Sequence, residues 1–268
     1  MIVSPLLEAK DLTVRFGLAG DAFNAVQDVS VQALPGEAVG IVGESGSGKT
    51  TLARVLVGLQ SPTFGQVELE GKPIFGAGVG HHFPRSERWK VQMVFQDPYS
   101  SLNPRQRAWE AVAEAIEVWQ RLTARDAKTA ALKLLNAMGV SDAQAHQLPG
   151  SLSGGQRQRV SVARALAPKP RVLIADEPTS SIDQSAQAQL LNLFRHLQRE
   201  SGLTLIFISH DLGIVRYLTS RVYVMQKGEI VEAGGTASVF EHAQHPYTQR
   251  LLRSIPGRRR GLRDVTGQ

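Results

Sequence analysis

Ala38-Val39-Gly40-Ile41-Val42-Gly43-Glu44-Ser45-Gly46-Ser47-Gly48-Lys49-Thr50 decides the fold. Its first five residues form a short apolar run of the kind a strand covered on both faces requires. A glycine-rich turn follows at once, and Thr50 to Leu59 has helical spacing. Strand, glycine loop and helix make the first half of a βαβ unit. Gly43–Thr50 also fits the pattern G-x-x-x-x-G-K-[ST], which has phosphate-binding meaning in this strand–helix context. Glycines let successive backbone N–H groups converge on phosphate oxygens, and the helix N-terminus adds its partial positive charge. The candidate cradle is Gly43, Glu44, Ser45, Gly46, Ser47, Gly48, Lys49, Thr50 and Thr51. Lys49 supplies a point charge to the β- and γ-phosphates and the Thr50 hydroxyl is a Mg²⁺ ligand. The plain alternative, a glycine turn opening a helix, is disfavoured by the strand–helix context in which the pattern stands.

Outward from this unit, residues 7–16 and 24–33 alternate well enough for strands, with a turn at Pro35-Gly36-Glu37. Residues 61–75 carry turn signals and β character, 76–82 read as a flexible connection, and 91–95 as a short strand ending at Gln96. Residues 109–138 are rich in Ala, Leu, Glu and Lys and predict two helices. A helix over 156–167, a buried strand over 171–175, an amphipathic helix over 184–201 and a strand over 204–209 follow. Residues 222–225 and 229–232 form a hairpin turning at Lys227-Gly228. Strands alternating with helices predict a mainly parallel α/β sheet, with a helical block inserted between residues 97 and 160.

Val172-Leu173-Ile174-Ala175-Asp176-Glu177 supplies the second half of the site. A buried strand delivers Asp176 to its C-terminal end, where ligands sit in open α/β sheets. Asp176 is a candidate for the Mg²⁺ shell, and Glu177 for polarising a water that attacks the γ-phosphate in line. Two solvated acids at a strand end are the bland reading, and the nearby P-loop pattern weighs against it. Leu152-Ser153-Gly154-Gly155-Gln156 enters a helix through a second possible anion cradle. One triphosphate does not need two cradles from one chain, so the economical reading is that this loop closes over a nucleotide held by a second chain.

Composition narrows the class. The chain has 268 residues, no cysteine, 30 Lys+Arg and 24 Asp+Glu. Without cysteine there is no disulfide, no thiolate zinc site and no iron–sulfur cluster. The N-terminus lacks the pattern of a signal peptide, and no uncharged apolar run approaches the roughly 18 residues of a membrane span. A soluble, non-secreted protein is the expectation. From Arg250 onward six arginines face one acid, Asp264, so this end carries nearly all the net charge of +6. The near-neutral remainder argues against a nucleic-acid face. His81-His82 could suggest metal, but the sequence supplies no further ligand nearby, and a solvated loop is the simpler reading.

Gly43–Thr50, Gln96, Leu152–Gln156, Asp176-Glu177, Ser181-Ile182-Asp183 and His210 together resemble the ATP-binding cassette ATPases, in order and spacing and over almost the whole chain. The resemblance implies an α/β P-loop NTPase core with a mainly parallel sheet, an antiparallel β subdomain and an inserted helical subdomain. Its divisions would be a nucleotide-binding core at 1–96 and 161–235, a helical subdomain at 97–160, and a C-terminal extension with a basic tail at 236–268. It further implies a head-to-tail dimer with ATP and Mg²⁺ sandwiched between the P-loop of one cassette and the signature loop of the other. By position, Phe16 would stack on adenine, with Phe23 as a competitor and a core role as the alternative. Gln96 would sense Mg²⁺ and the attacking water. Ser153, Gly154, Gly155 and Gln156 would reach the partner's nucleotide, Asp183 would lie across the interface, and His210 would hold the γ-phosphate.

Gln92–Arg105 and His245–Pro256 resemble the dipeptide, oligopeptide and nickel importer subfamily, whose second paired ATPase is most similar at Leu52–Leu59 and Gln184–Gln189. That implies a second ATPase subunit in a heterodimer, two permease subunits, an extracytoplasmic solute-binding protein, and a position on the cytoplasmic face of the bacterial membrane. Ser181-Ile182-Asp183 departs mildly from the commoner Ala-Leu-Asp. The cysteine cluster that many relatives carry near the C-terminus is absent. A soluble cassette ATPase acting on nucleic acid or the ribosome is disfavoured by the lack of a second cassette. A dead binding module is disfavoured by Glu177 and His210, and a GTPase by the missing Asn-Lys-x-Asp motif. Peptide is preferred over nickel as the solute.

Overall fold

A computed structural model describes residues 4–17, 21–80, 83–180 and 182–254. The chain begins with β1 (Leu7–Phe16), β2 (Phe23–Ala33), β3 (Ala38–Val42), α1 (Lys49–Leu56), β4 (Phe64–Leu69), β5 (Lys72–Gly76) and β6 (Val91–Val94). A helical stretch follows, with α2 (Pro98–Ser101), α3 (Ala108–Gln120), α4 (Ala124–Ala137), α5 (Asp142–Ala145) and α6 (Gly154–Leu166). Alternation then resumes through β7 (Val172–Asp176), α7 (Gln184–Ser201), β8 (Thr204–Ser209) and α8 (Leu212–Leu218). The hairpin β9 (Arg221–Gln226) and β10 (Glu229–Gly235) leads to α9 (Thr236–Glu241) and α10 (Pro246–Arg253).

Two sheets form. The larger has the order β10-β9-β3-β8-β7-β6, parallel throughout except for β10, which pairs antiparallel with β9. The smaller is antiparallel, in the order β2-β1-β4-β5. Successive side chains of a strand point to opposite faces, and β3, β7 and β8 are buried at every position. Val39, Ile41, Val172, Ile174, Ile206 and Ile208 share one apolar core with Leu12, Val26 and Val67 of the smaller sheet and Leu52 and Leu56 of α1. Val42, Leu173, Ala175, Leu205 and Phe207 share the other with Val112, Val160, Leu190 and Phe194 of the helices. This two-faced burial is why these strands lack any polar alternation in sequence.

Several sequence expectations are refined. Helix α1 stops at Leu56 rather than Leu59, because Gly58 turns the chain at φ +73° and a Cβ there would sit 2.3 Å from the Phe83 Cβ. The connection expected to be flexible at 76–82 contains a closed turn, in which Gly76 N–H donates to the Gly80 carbonyl at 3.0 Å and Gly80 N–H returns the bond at 3.1 Å. His81-His82, Ser181 and the basic residues beyond Ser254 lie outside the described residues.

Candidate functional site

The C-terminal ends of four parallel strands converge on one region. Gly43 follows β3, Gln96 follows β6, Asp176 ends β7 with Glu177 next, and His210 follows β8. A cavity of about 860 Å³ opens there, lined on the loop side by Glu44, Ser45, Gly46, Gly48, Lys49, Thr50 and Thr51. Gln96, Glu177 and His210 line its far wall, and Phe16, Phe23, Asn24 and Ala25 its rim. Gly43, Ser47 and Asp176 lie beneath that surface, all buried.

The loop is shaped for an anion. Gly48 caps α1 at φ +102°, a conformation other residues rarely adopt, and a Cβ there would meet the Ala25 carbonyl oxygen at 2.2 Å. No side chain caps the first turn of α1, so its N–H groups face the cavity with the positive end of the helix dipole. Lys49, only 5% exposed, donates from Nζ to the carbonyls of Gly43 and Glu44, each at 2.8 Å. Burial pushes its pKa below the ordinary lysine value, opposed by the charges of Glu177, Asp176 and Glu44.

Asp176 is 1% exposed, and burial pushes its carboxyl pKa up, against the lowering effect of the Thr50 hydroxyl. Its Oδ1 is buried without a hydrogen-bond partner. An unpartnered carboxylate oxygen beside a threonine hydroxyl is the donor chemistry that Mg²⁺ takes, so the residues fit that ion. Glu177 occupies the left-handed region at φ 43°, where a non-glycine residue is costly to hold. Its N–H donates to the Ile208 carbonyl at 2.9 Å, and its own carbonyl accepts from the Ser180 hydroxyl at 3.0 Å. The Glu177 Oε2 lies 3.1 Å from His210 Nδ1 and accepts from Gln96 Nε2 at 3.4 Å. The three candidate catalytic residues therefore share one oxygen.

Phe16 is 36% exposed, which removes the core alternative. It stands with Phe23 at the rim, ring centroids 6.0 Å apart. The signature residues sit elsewhere: Ser153, Gly154, Gly155, Gln156 and Asp183 do not line the cavity. They gather where α6 and α7 begin. The Ser153 oxygen accepts from Gln156 N–H at 3.3 Å while Gln156 Oε1 accepts from Ser153 N–H at 2.8 Å, a capping box. Asp183 caps α7 by accepting from Ala186 N–H at 2.9 Å, and a Cβ on Gly155 would come 2.8 Å from that of Ala186.

Two contributions went unread in sequence. The Lys227-Gly228 turn lines the cavity, and Gly228 N–H donates to the Ser47 carbonyl at 3.0 Å. Glu44 N–H donates to the Tyr247 hydroxyl of α10 at 2.9 Å. The hairpin signal located the turn without its neighbour, and no local pattern pairs residues so far apart.

The sequence profile of the family described as ABC transporter matches residues 26–180. A probable peptide ABC transporter ATP-binding protein of Sinorhizobium fredii is 45% identical, over 94% of this chain and 72% of its own. An oligopeptide transport ATP-binding protein of Lactococcus lactis is 40% identical, over 95% and 81%. A dimeric ATP-binding cassette solved in a post-hydrolysis state with ADP and Pi superposes with a TM-score of 0.77 at 28% identity, covering 86% of this chain and 98% of that one. The match in sequence and fold covers the strands, the cradle and the acid pair alike: the chain belongs to the ABC transporter family, as one of its ATPase subunits.

Proposed function

We propose that the chain is the motor of an importer for peptides, working as a heterodimer with a second ATPase beneath two permease subunits fed by an extracytoplasmic solute-binding protein. The kinship with peptide and oligopeptide transport subunits supports the solute class. No helix among the described residues is long and apolar enough to cross a membrane. Attachment to the cytoplasmic face of the membrane would then come through the permeases. In this reading the nucleotide-binding core spans 1–96 and 161–235, the helical subdomain 97–160 and the C-terminal extension 236–268.

The observation that carries the mechanism is the Glu177 carboxylate held between Gln96 and His210 at the mouth of the cradle. ATP would lay its phosphates over the loop and the open end of α1, with Phe16 stacking on the base. Thr50 and Asp176 would hold Mg²⁺, with Gln96 beside them. Bound Mg²⁺ supplies positive charge that offsets the charge developing on the β- and γ-phosphates. Glu177 orients a water and takes its proton on the carboxylate oxygen Oε1, the one outside its contacts with Gln96 and His210, as the water oxygen bonds to the γ-phosphorus. The bond to the β-phosphate oxygen breaks, and ADP leaves with that electron pair. His210 steadies the γ-phosphate. Ser153, Gly154, Gly155 and Gln156 would close over the nucleotide of the partner ATPase, with Asp183 across the interface. Closure drives the permeases through one conformational change and hydrolysis resets them.

Because the signature residues stand apart from this chain's own cavity, the isolated chain is expected to show low ATPase activity that rises when the partner ATPase is added. Full turnover in a sample shown to be monomeric by light scattering would contradict the composite site. ATP-driven uptake by the assembled transporter in vesicles, with labelled peptides against Ni²⁺, tests the solute. Uptake of Ni²⁺ without peptide would overturn the peptide reading.

A further inference from the structure

The segment His245–Pro256 resembles importer ATPases in sequence, yet the chemistry above leaves it unused. Its helix α10 places Tyr247 against the phosphate loop. The ring is 2% exposed, and its hydroxyl accepts from the Glu44 N–H at 2.9 Å, across 203 residues of chain. The peptide unit between Gly43 and Glu44 is thereby held on both sides. Its carbonyl accepts from Lys49 Nζ and its N–H is taken by Tyr247. An amide plane fixed at both polar ends cannot rotate without breaking one of these bonds. Glu44 is the loop position directly before the turn in which Ser47 N–H bonds back to the Glu44 carbonyl at 3.2 Å.

Helix α10 is itself tethered. The Glu232 carboxylate of β10 accepts from Gln244 N–H at 2.8 Å and from His245 N–H at 3.1 Å, and His245 Nδ1 accepts from Tyr247 N–H at 3.2 Å. Through its turn at Lys227-Gly228, the same hairpin bonds to Ser47. The phosphate loop is therefore gripped at Glu44 and Ser47 by two parts of one connected unit, β9–β10 and α10.

We infer that Tyr247 is a positioning residue for the nucleotide site, through which the C-terminal extension sets the shape of the phosphate loop. This rests on the reading of that loop as the ATP cradle. Tyr247 does not touch the phosphates. It withdraws one loop amide from them, orients the shared peptide, and so preorganises the amides that follow. A single net hydrogen bond contributes modestly in water, which sets the expected effect at about three- to tenfold in affinity.

The test uses the full-length chain. Tyr247→Phe keeps the buried ring and removes the hydroxyl. Its Kd for ATP with Mg²⁺, by calorimetry, is expected to rise about three- to tenfold, with the melting temperature of the nucleotide-free protein lowered by no more than the few degrees that one lost hydrogen bond accounts for. Amide exchange by NMR is expected to show Glu44 protected in the wild type and faster in the variant. A general loss of packing would lower the melting temperature and speed exchange across α10 without singling out Glu44. Unaltered Kd in a folded Tyr247→Phe chain would overturn the inference. A Glu44 amide that exchanges in the wild type as fast as an open loop would overturn it without any variant. Failure of the wild type to bind ATP would instead refute the cradle reading, and the exchange measurement judges the Tyr247 contact in either case.

Discussion

Glu177→Gln is expected to lower ATP turnover in the assembled transporter by a hundredfold or more while leaving ATP binding in place. At about 1.36 kcal/mol per decade, this corresponds to at least about 2.7 kcal/mol of lost transition-state stabilisation. The substitution keeps shape and hydrogen-bonding capacity but cannot take a proton from water. The amide can still sit between Gln96 and His210, so the local packing survives. Glutamine also enters the left-handed conformation at residue 177 at much the same cost as glutamate, so backbone strain is common to both proteins. Phosphate release and equilibrium nucleotide binding are the two measurements. Turnover close to that of the wild type would remove Glu177 from the proton-accepting role.

Lys49→Ala should abolish nucleotide binding detectable by calorimetry. Two losses act together. The cradle forfeits its cation, so the charges of Glu177, Asp176 and Glu44 no longer have the ammonium beside them when an anionic ligand arrives. The carbonyls of Gly43 and Glu44 also lose their donor, each at a cost of about 1–3 kcal/mol if it remains buried and unpaired. The loop should therefore sag as well as lose charge. Circular dichroism and a melting curve separate unfolding from loss of the site. Unchanged affinity in a folded variant would refute the assignment of Lys49.

The parts legible in sequence are those governed by local patterns. Strands β3, β7 and β8 announce themselves because both faces are buried, which forces uninterrupted apolar runs. Helix α7 spans the expected Gln184–Ser201 because local signals bound it, the cap at Asp183 and the left-handed Gly202. The expected end of α1 at Leu59 overshoots Gly58, whose left-handed conformation lets Leu59 N–H bond back to the Arg54 carbonyl at 2.8 Å and closes the helix. That stop is local, and only the packing of Phe83 into the space a Cβ at residue 58 would need comes from outside. Helices α2 and α5, of four residues each, are too short to show a period. Strand order and the meeting of Tyr247 with Glu44 are products of tertiary folding, and no window of sequence contains them. At the site, the motifs named the candidate residues, but the choice between an exposed and a core Phe16 required coordinates.

The oxygen of Ser153 uses a lone pair to hold the first turn of α6. A hydroxyl that accepts inward still has its own hydrogen to give outward. One atom can therefore keep a helix wound and, in the composite site proposed above, greet the partner ATPase's nucleotide, without choosing between them. Aspartate would preserve the first task and spoil the second, whereas alanine would sacrifice both. Winding and greeting are thus separable at this position by exchanging one hydroxyl hydrogen for a negative charge.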